Sequence, residues 1–507
     1  VTLNSLAPRA LTTPVARLSL ADNRPILGST DMLRRLSLAV AVTATSTATA
    51  WADPAPLSVR TDLMSVYQEA AANNADLAAA RADYQARREG VPQARAGLLP
   101  NLSASAQVND TRTALEQPAA TQSRSATVYQ ANLSQPLFRA DRWFQLQAAE
   151  AVSEQAALEL SANEQNLILQ SAEAYFSVLR AQDNLASTKA EEAAFNRQLD
   201  QANERFDVGL SDKTDVLQAQ AGFDSARANR ITAQRQVEDA FQALVTLTNR
   251  EYRSIEGIQH SLPILTPMPN DATAWVNTAA AQNLNLQASN FAVDAAEETL
   301  RQRKAGHAPT LDAVASYKRG DNDAFGLSNP NYTGQSYGSD VSQRTIGLEL
   351  NIPLYSGGLT SSQAREAYQR LSQSEQRREG LRREVVQNTR NLYRAVNTDV
   401  ETVQARRQSI ISNQSALEAT EIGYQVGTRN IVDVLDAQRQ LYSAVRNYND
   451  ARYDYILNNL RLKQAAGTLS PADLEALGAY LKPDYNPDRD FLPTDLAKAG
   501  EARLQGE

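Results

Sequence analysis

Apolar positions along this chain keep two rhythms. Leu167, Ala174, Val178, Ala181 and Leu185 fall on one stripe, with Ser171 at its remaining place, in steps of three and four. Phe195, Leu199, Ala202 and Phe206 continue it. This heptad rhythm predicts helices packed along a seam. Elsewhere the period is two. Leu102, Ala104, Ala106 and Val108 alternate with Ser103, Ser105 and Gln107, and Tyr129, Ala131 and Leu133 with Gln130, Asn132 and Ser134. Leu311, Ala313, Ala315 and Tyr317 line a third face; Ile346, Leu348, Leu350 and Ile352 alternate with Thr345, Gly347, Glu349 and Asn351. These stretches predict four strands, at about 98–109, 125–137, 308–318 and 342–354. Each has the length of a tilted membrane-crossing strand. The polar connections between them, about 109–125 and 318–342, predict exposed loops.

The rhythms occur twice in the same order. Pro100 is echoed by Pro309, Pro136-Leu137-Phe138 by Pro353-Leu354-Tyr355, and Tyr175 by Tyr393. Phe206-Asp-Val-Gly209 followed by Asp215-Val216-Leu217 is echoed by Tyr424-Gln-Val-Gly427 followed by Asp433-Val434-Leu435. An internal duplication follows, with a first repeat over 53–270 and a second over 271–467. Each begins with helix (about 62–96 and 271–305), continues with two strands, and ends in a long helical hairpin. The hairpin tips fall at 206–215 and 424–433. No proline lies between Pro136 and Pro263 or between Pro353 and Pro471, which suits very long helices. A helix over 139–205 would be about 100 Å long. Residues 468–507 read as a short helix around 471–481, an equatorial segment and a flexible tail.

Four strands do not close a barrel, and an open edge in lipid leaves backbone groups unpaired. Either two hairpins pack on helices in water, or several chains share one barrel. Phe138, Trp143, Phe144 and Tyr355 sit just past strand ends, where an interfacial aromatic girdle or corner packing would place them.

Composition narrows the class. The net charge is −8 and no basic block occurs, which argues against nucleic acid as a partner. There is no cysteine, hence no disulfide, thiol catalysis or lipid-modified Cys. Met32, Arg34, Arg35, the apolar run from Leu36 to Val42 and Ala50-Trp51-Ala52 read as a signal peptide over 32–52. Residues 1–31 read as a gene-model extension or a long n-region. No apolar run is long enough for a transmembrane helix, so a membrane would be met through strands. Catalytic and nucleotide-binding motifs are absent, and no cofactor, metal or enzymatic activity is expected.

The tip motifs Phe206-Asp-Val-Gly209 with Thr214-Asp215-Val216, and Tyr424-Gln-Val-Gly427-Thr-Arg429 with Ile431-Val-Asp433-Val-Leu-Asp436, resemble the hairpin tips of the TolC family of outer-membrane export ducts. The strand-end motifs Gln135-Pro136-Leu137-Phe138 and Pro353-Leu354-Tyr355-Ser-Gly-Gly358 are similar to that family too. The resemblance covers about 60–480. It implies an α+β membrane protein: a homotrimer whose four strands per chain complete a 12-stranded barrel in outer-membrane lipid, continued by a periplasmic barrel of coiled-coil hairpins. It implies passive conduction from an inner-membrane efflux pump or secretion ATPase, through a periplasmic adaptor (membrane fusion) protein, to the exterior. The remaining alternatives are a periplasmic α-hairpin adaptor or scaffold, and a diffusion porin.

Gly209 and Gly427 read as turn residues after a helix end. Asp433 and Asp436 share a helix face; Asp433 also suits a helix first turn. The resemblance places both acids at the periplasmic constriction. It makes Tyr424 and Arg429 a gate latch with Thr214 and Asp215, and the grooves beside Val208, Gly209 and Leu210 and beside Val426, Gly427 and Thr428 the adaptor contacts. Without it, Arg429 reads as an ordinary solvated arginine.

Overall fold

The computed structural model describes residues 61–116, 119–321, 325 and 340–493. The expected extension (1–31) and signal peptide (32–52) lie outside them. The first half runs α1 (Leu63–Asn73), α2 (Ala75–Arg88), α3 (Gly90–Ala96), β1 (Asn101–Glu116), β2 (Ala119–Phe138), α4 (Ala140–Asp207), α5 (Lys213–Thr248) and β3 (Gly257–Ile258). The second runs α6 (Ala272–Gln282), α7 (Leu284–Ala305), β4 (Thr310–Asp321), β5 (Asp340–Asn351), α8 (Leu359–Gln425) and α9 (Ile431–Ala465). Then follow α10 (Pro471–Gly478), β6 (Leu481–Lys482) and α11 (Pro487–Asp490).

Helix caps repeat the duplication. Asp62 accepts from the Ser65 amide and Asn74 from the Leu77 amide, starting α1 and α2. Asp271 accepts from the Thr273 amide and Asn283 from the Leu286 amide, starting α6 and α7. A side-chain oxygen at each N-cap satisfies an amide that has no partner inside the helix. The caps of the two halves stand at equivalent places, as Pro100 and Pro309 do.

The four long strands form one antiparallel sheet in the order β1-β2-β4-β5. Its rows show how the two faces divide. Leu102, Leu133, Ala315 and Ile346 lie side by side across all four strands. One residue along, Ser103, Asn132, Ser316 and Thr345 form a polar row. The next polar row is Ser105, Gln130, Lys318 and Gln343. The sheet therefore has an apolar and a polar face, and β1 and β5 are left as open edges.

The first pair of strands is longer than the hydrophobic alternation predicts. Pairing continues from Asn109↔Ala126 to Glu116↔Ala119, so most of the expected loop at 109–125 is strand. Backbone pairing does not need an apolar face, so the ladder runs on past the alternating stretch. The second connection, apart from strand ends and Phe325, lies outside the described residues.

The helices continue the sheet. α4 packs on α2, α5, α7 and α9, and α8 packs on α7 and α9. Helix packing thus runs α2–α4–α7–α8 near the strands and α5–α4–α9–α8 toward the tips. A main core joins Tyr175, Phe176 and Leu179 of α4 to Val396 of α8 and to Tyr453 and Ile456 of α9. Burial of each large side chain contributes about 1.5–3 kcal/mol. The heptad stripe understates α4: Leu167, Ser171 and Val178 are buried, Ala174, Ala181 and Leu185 half-buried, and Tyr175, Phe176 and Leu179 lie off the stripe. A helix with neighbours on several sides buries more than one seam.

The flexible tail expected beyond the short helix is instead docked as far as residue 493. Tyr485 and Phe491 are buried in the main core. A Cβ at Gly257 would overlap the Tyr485 ring, so only glycine fits there. β6 pairs with β3 of the first half. Residues 494–507 lie outside the described residues.

Candidate functional site

Both hairpin tips are built by the same local chemistry. α4 ends in a Schellman turn: the Leu210 amide donates to the Arg205 carbonyl at 2.8 Å and the Gly209 amide to that of Phe206 at 2.9 Å. α8 ends alike, Thr428 donating to Gly423 at 2.8 Å and Gly427 to Tyr424 at 3.2 Å. The glycines have φ of 75° and 78°, the left-handed conformation the motif needs. The returning helices start on side-chain caps, Asp212 for α5 and Asn430 for α9. The aliphatic residues at the turns face solvent: Val208 is 69% exposed, Leu210 70% and Val426 69%.

The second tip differs in its charges. Asp433 closes a capping box: its amide donates to Asn430 Oδ1 at 2.9 Å, and its Oδ2 accepts from the Asn430 amide at 3.4 Å. Its side chain thus has a structural task. Asp436, one turn on, has none; it is exposed and pairs with Arg439, Nη1 to Oδ1 at 3.1 Å. Arg429 is mostly exposed and lies 3.9 Å from Asp433. Opposite this face, Ile431, Val434 and Leu435 are buried with Phe195 of α4 and Tyr424 of α8.

The residues read as a latch are only partly brought together within one chain. Tyr424 is buried, with the Arg205 guanidinium 4.8 Å over its ring. Burial raises its hydroxyl above the ordinary range, Arg205 opposes this, and Asp215 adds to it. Among the ion pairs of the described residues, Arg429 joins Asp433 rather than Asp215, whose carboxylate accepts from Ser211 at 2.6 Å. Thr214 is exposed. Sequence reading missed Arg439, although an opposite charge three residues after Asp436 was visible. It also missed Arg205, whose partner is a ring rather than an acid.

At the other end of the long helices, Phe138, Trp143 and Tyr355 are exposed beside the sheet, and Phe144 is half-buried. The apolar row above, with Ile346 89% exposed, is a surface that water would not favour. Among the described residues no helix is long and apolar enough to cross a membrane.

A family model described as outer membrane efflux protein matches residues 66–250 and 275–468, one match to each half of the duplication. The chain is 38% identical over 421 residues to outer membrane protein TolC of Vibrio cholerae, covering 83% of this chain and 94% of that protein. It is 28% identical over 446 residues to the alkaline protease secretion protein AprF of Pseudomonas aeruginosa, covering 85% and 90%. A crystal structure of CusC superposes with a TM-score of 0.70 at 19% identity, covering 81% of this chain and 92% of that one.

Proposed function

This chain belongs to the outer membrane efflux protein family, and from that premise we propose that three copies form one gated duct. It is an outer-membrane channel for efflux or secretion, with its helical part in the periplasm. The observation that carries the assembly is the sheet: four strands, one apolar face and two open edges. In lipid those edges need partners. β5 of one copy pairing with β1 of the next satisfies both, and three copies make a 12-stranded barrel.

Conduction is passive. An inner-membrane efflux pump or secretion ATPase supplies the cargo and the energy, and a periplasmic adaptor joins pump to duct. The exposed Val208, Leu210 and Val426 beside Gly209, Gly427 and Thr428 support adaptor docking at the tips. A relative named for protease secretion supports secreted protein as one cargo class, and the family description as efflux protein supports expelled small molecules as another.

The gate is at the second tip. Asp433 and Asp436, repeated threefold, ring the constriction. Among the described residues Arg429 pairs with Asp433 at 3.9 Å, and an exposed pair of that kind is worth about 1 kcal/mol or less. It is therefore free to bridge to Thr214 or Asp215 of the next copy, beside Tyr424, and to let go when an adaptor docks. Phe138, Trp143, Phe144 and Tyr355 mark the membrane interface. Single-channel recording of the purified protein tests this reading: Arg429→Ala raises resting conductance. Recovery from the soluble periplasmic fraction, or no conductance in a bilayer, would exclude a duct.

A further inference from the structure

We propose that Arg439 sets how strongly the periplasmic mouth prefers cations. The inference deepens the constriction reading and rests on Asp433 and Asp436 facing the passage. α9 buries Ile431, Val434, Leu435 and Gln438, and leaves Asp436, Arg439 and Gln440 exposed and Asp433 half-exposed. Arg439 is thus on the same side as the two acids. Its Nη1 lies 3.1 Å from Asp436 Oδ1, and both side chains remain more than half exposed, so the pair faces the space the acids face.

The charge consequence is direct. A ring of carboxylates alone attracts cations and repels anions. A carboxylate bound to a guanidinium is a short dipole, and its pull on an ion weakens sharply beyond the separation of the pair. The Asp436–Arg439 pair as a whole then contributes little to the cation preference. Arg439 lies about 4.5 Å further along the helix and forms a second layer, of opposite sign, deeper in the duct. The first tip supports the view that the pair is a unit. Gln218 stands in place of Asp436 and Ala221 in place of Arg439, so both charges are lacking together. A mouth with an acidic rim and a basic layer behind it admits anionic or zwitterionic cargo that an all-acid ring would turn away.

The test is the reversal potential of the full-length protein in planar bilayers under a potassium chloride gradient, with hexaamminecobalt(III) as the blocking probe. Arg439→Gln is expected to raise the potassium-to-chloride permeability ratio about threefold or more and to tighten block about tenfold. Asp436→Asn lowers the ratio, the Asp436→Asn/Arg439→Gln double variant returns it near wild type, and Arg439→Lys, which keeps the charge, leaves it unchanged. If Asp433→Asn and Asp436→Asn lower the ratio while Arg439→Gln does not raise it, this proposal falls and the constriction stands. If neither acid variant moves the ratio, the constriction assignment falls and takes this proposal with it. A ratio in Arg439→Lys matching that of Arg439→Gln would assign the effect to packing and overturn the proposal.

Discussion

The Tyr453 hydroxyl on α9 donates to the Asp183 carboxylate on α4 at 2.7 Å, with both side chains sealed from water. The other oxygen of Asp183 accepts from Tyr485 in the C-terminal segment. One buried acid therefore joins both halves of the duplication and the segment that follows them.

This linkage should respond to pH. Burial pushes Asp183 up to about 6, against the hydrogen bonds from Tyr485 and Tyr453 and the field of Arg452. A raised carboxyl favours docking below its ordinary range, near pH 4, and the contribution fades as pH rises through about 6, by on the order of 1–3 kcal/mol. His260, whose Nε2 lies 3.0 Å from the Asp490 carbonyl, behaves oppositely. Burial first and Arg452 second hold it down at about 3. It stays neutral when docked, and docking gains as pH rises toward about 6.5. In wild type the two slopes oppose each other. Amide exchange of residues 480–491, corrected for intrinsic rates, should show protection falling with pH in His260→Gln and rising in Asp183→Asn.

The two tip acids should separate by what each does locally. Asp433→Ala removes half of a capping box, which costs about 1 kcal/mol; Asp436→Ala removes only an exposed pair. Exchange of the first-turn amides of α9 should quicken in the first variant and stay near wild type in the second. Both should lower cation selectivity in bilayers.

Gly209→Ala and Gly427→Ala force a side chain into the left-handed conformation, at roughly 1–2 kcal/mol each. Space is open at both sites, so the cost is conformational alone. Cells carrying either variant should keep normal duct levels and lose drug resistance or secretion, measured as minimum inhibitory concentration and exported protein.

The faces of the sheet predict an asymmetry between neighbours. Ile346→Lys puts a charge on the apolar row and costs about 2–4 kcal/mol at mid-membrane, whereas Thr345→Lys adds it to the polar row. The yield of assembled protein in the outer membrane should collapse in the first and hold in the second.

Legibility in the sequence followed the solvent. Where Leu102, Leu133 and Ile346 share one apolar row, alternation marks the strands; past Asn109 the same strands keep no period-two alternation. Gly209 and Gly427 were legible because a turn geometry demands them. Tyr485 was not: its Pro- and Asp-rich neighbourhood reads as tail, and the matching cavity over Gly257 is remote in sequence. Asp183 resembled any polar helix residue, since burial by three separate elements has no local signature. The tip acids and Arg429 were legible in the motif, but the pairing of Arg439 with Asp436 needed side-chain geometry.

The margins of the chain, β1 with α2 and α5 on one side and β5 with α8 on the other, are unlike surfaces. In the proposed ring of three, each subunit meets its neighbours through two different surfaces. A lesion on either margin spoils one junction of every ring that contains it, and no neighbour can supply the missing surface. Co-expressed with wild type, such a mutant should be dominant, with intact rings falling as the cube of the wild-type share. Lesions in a buried core, which unfold the subunit before assembly, should be recessive.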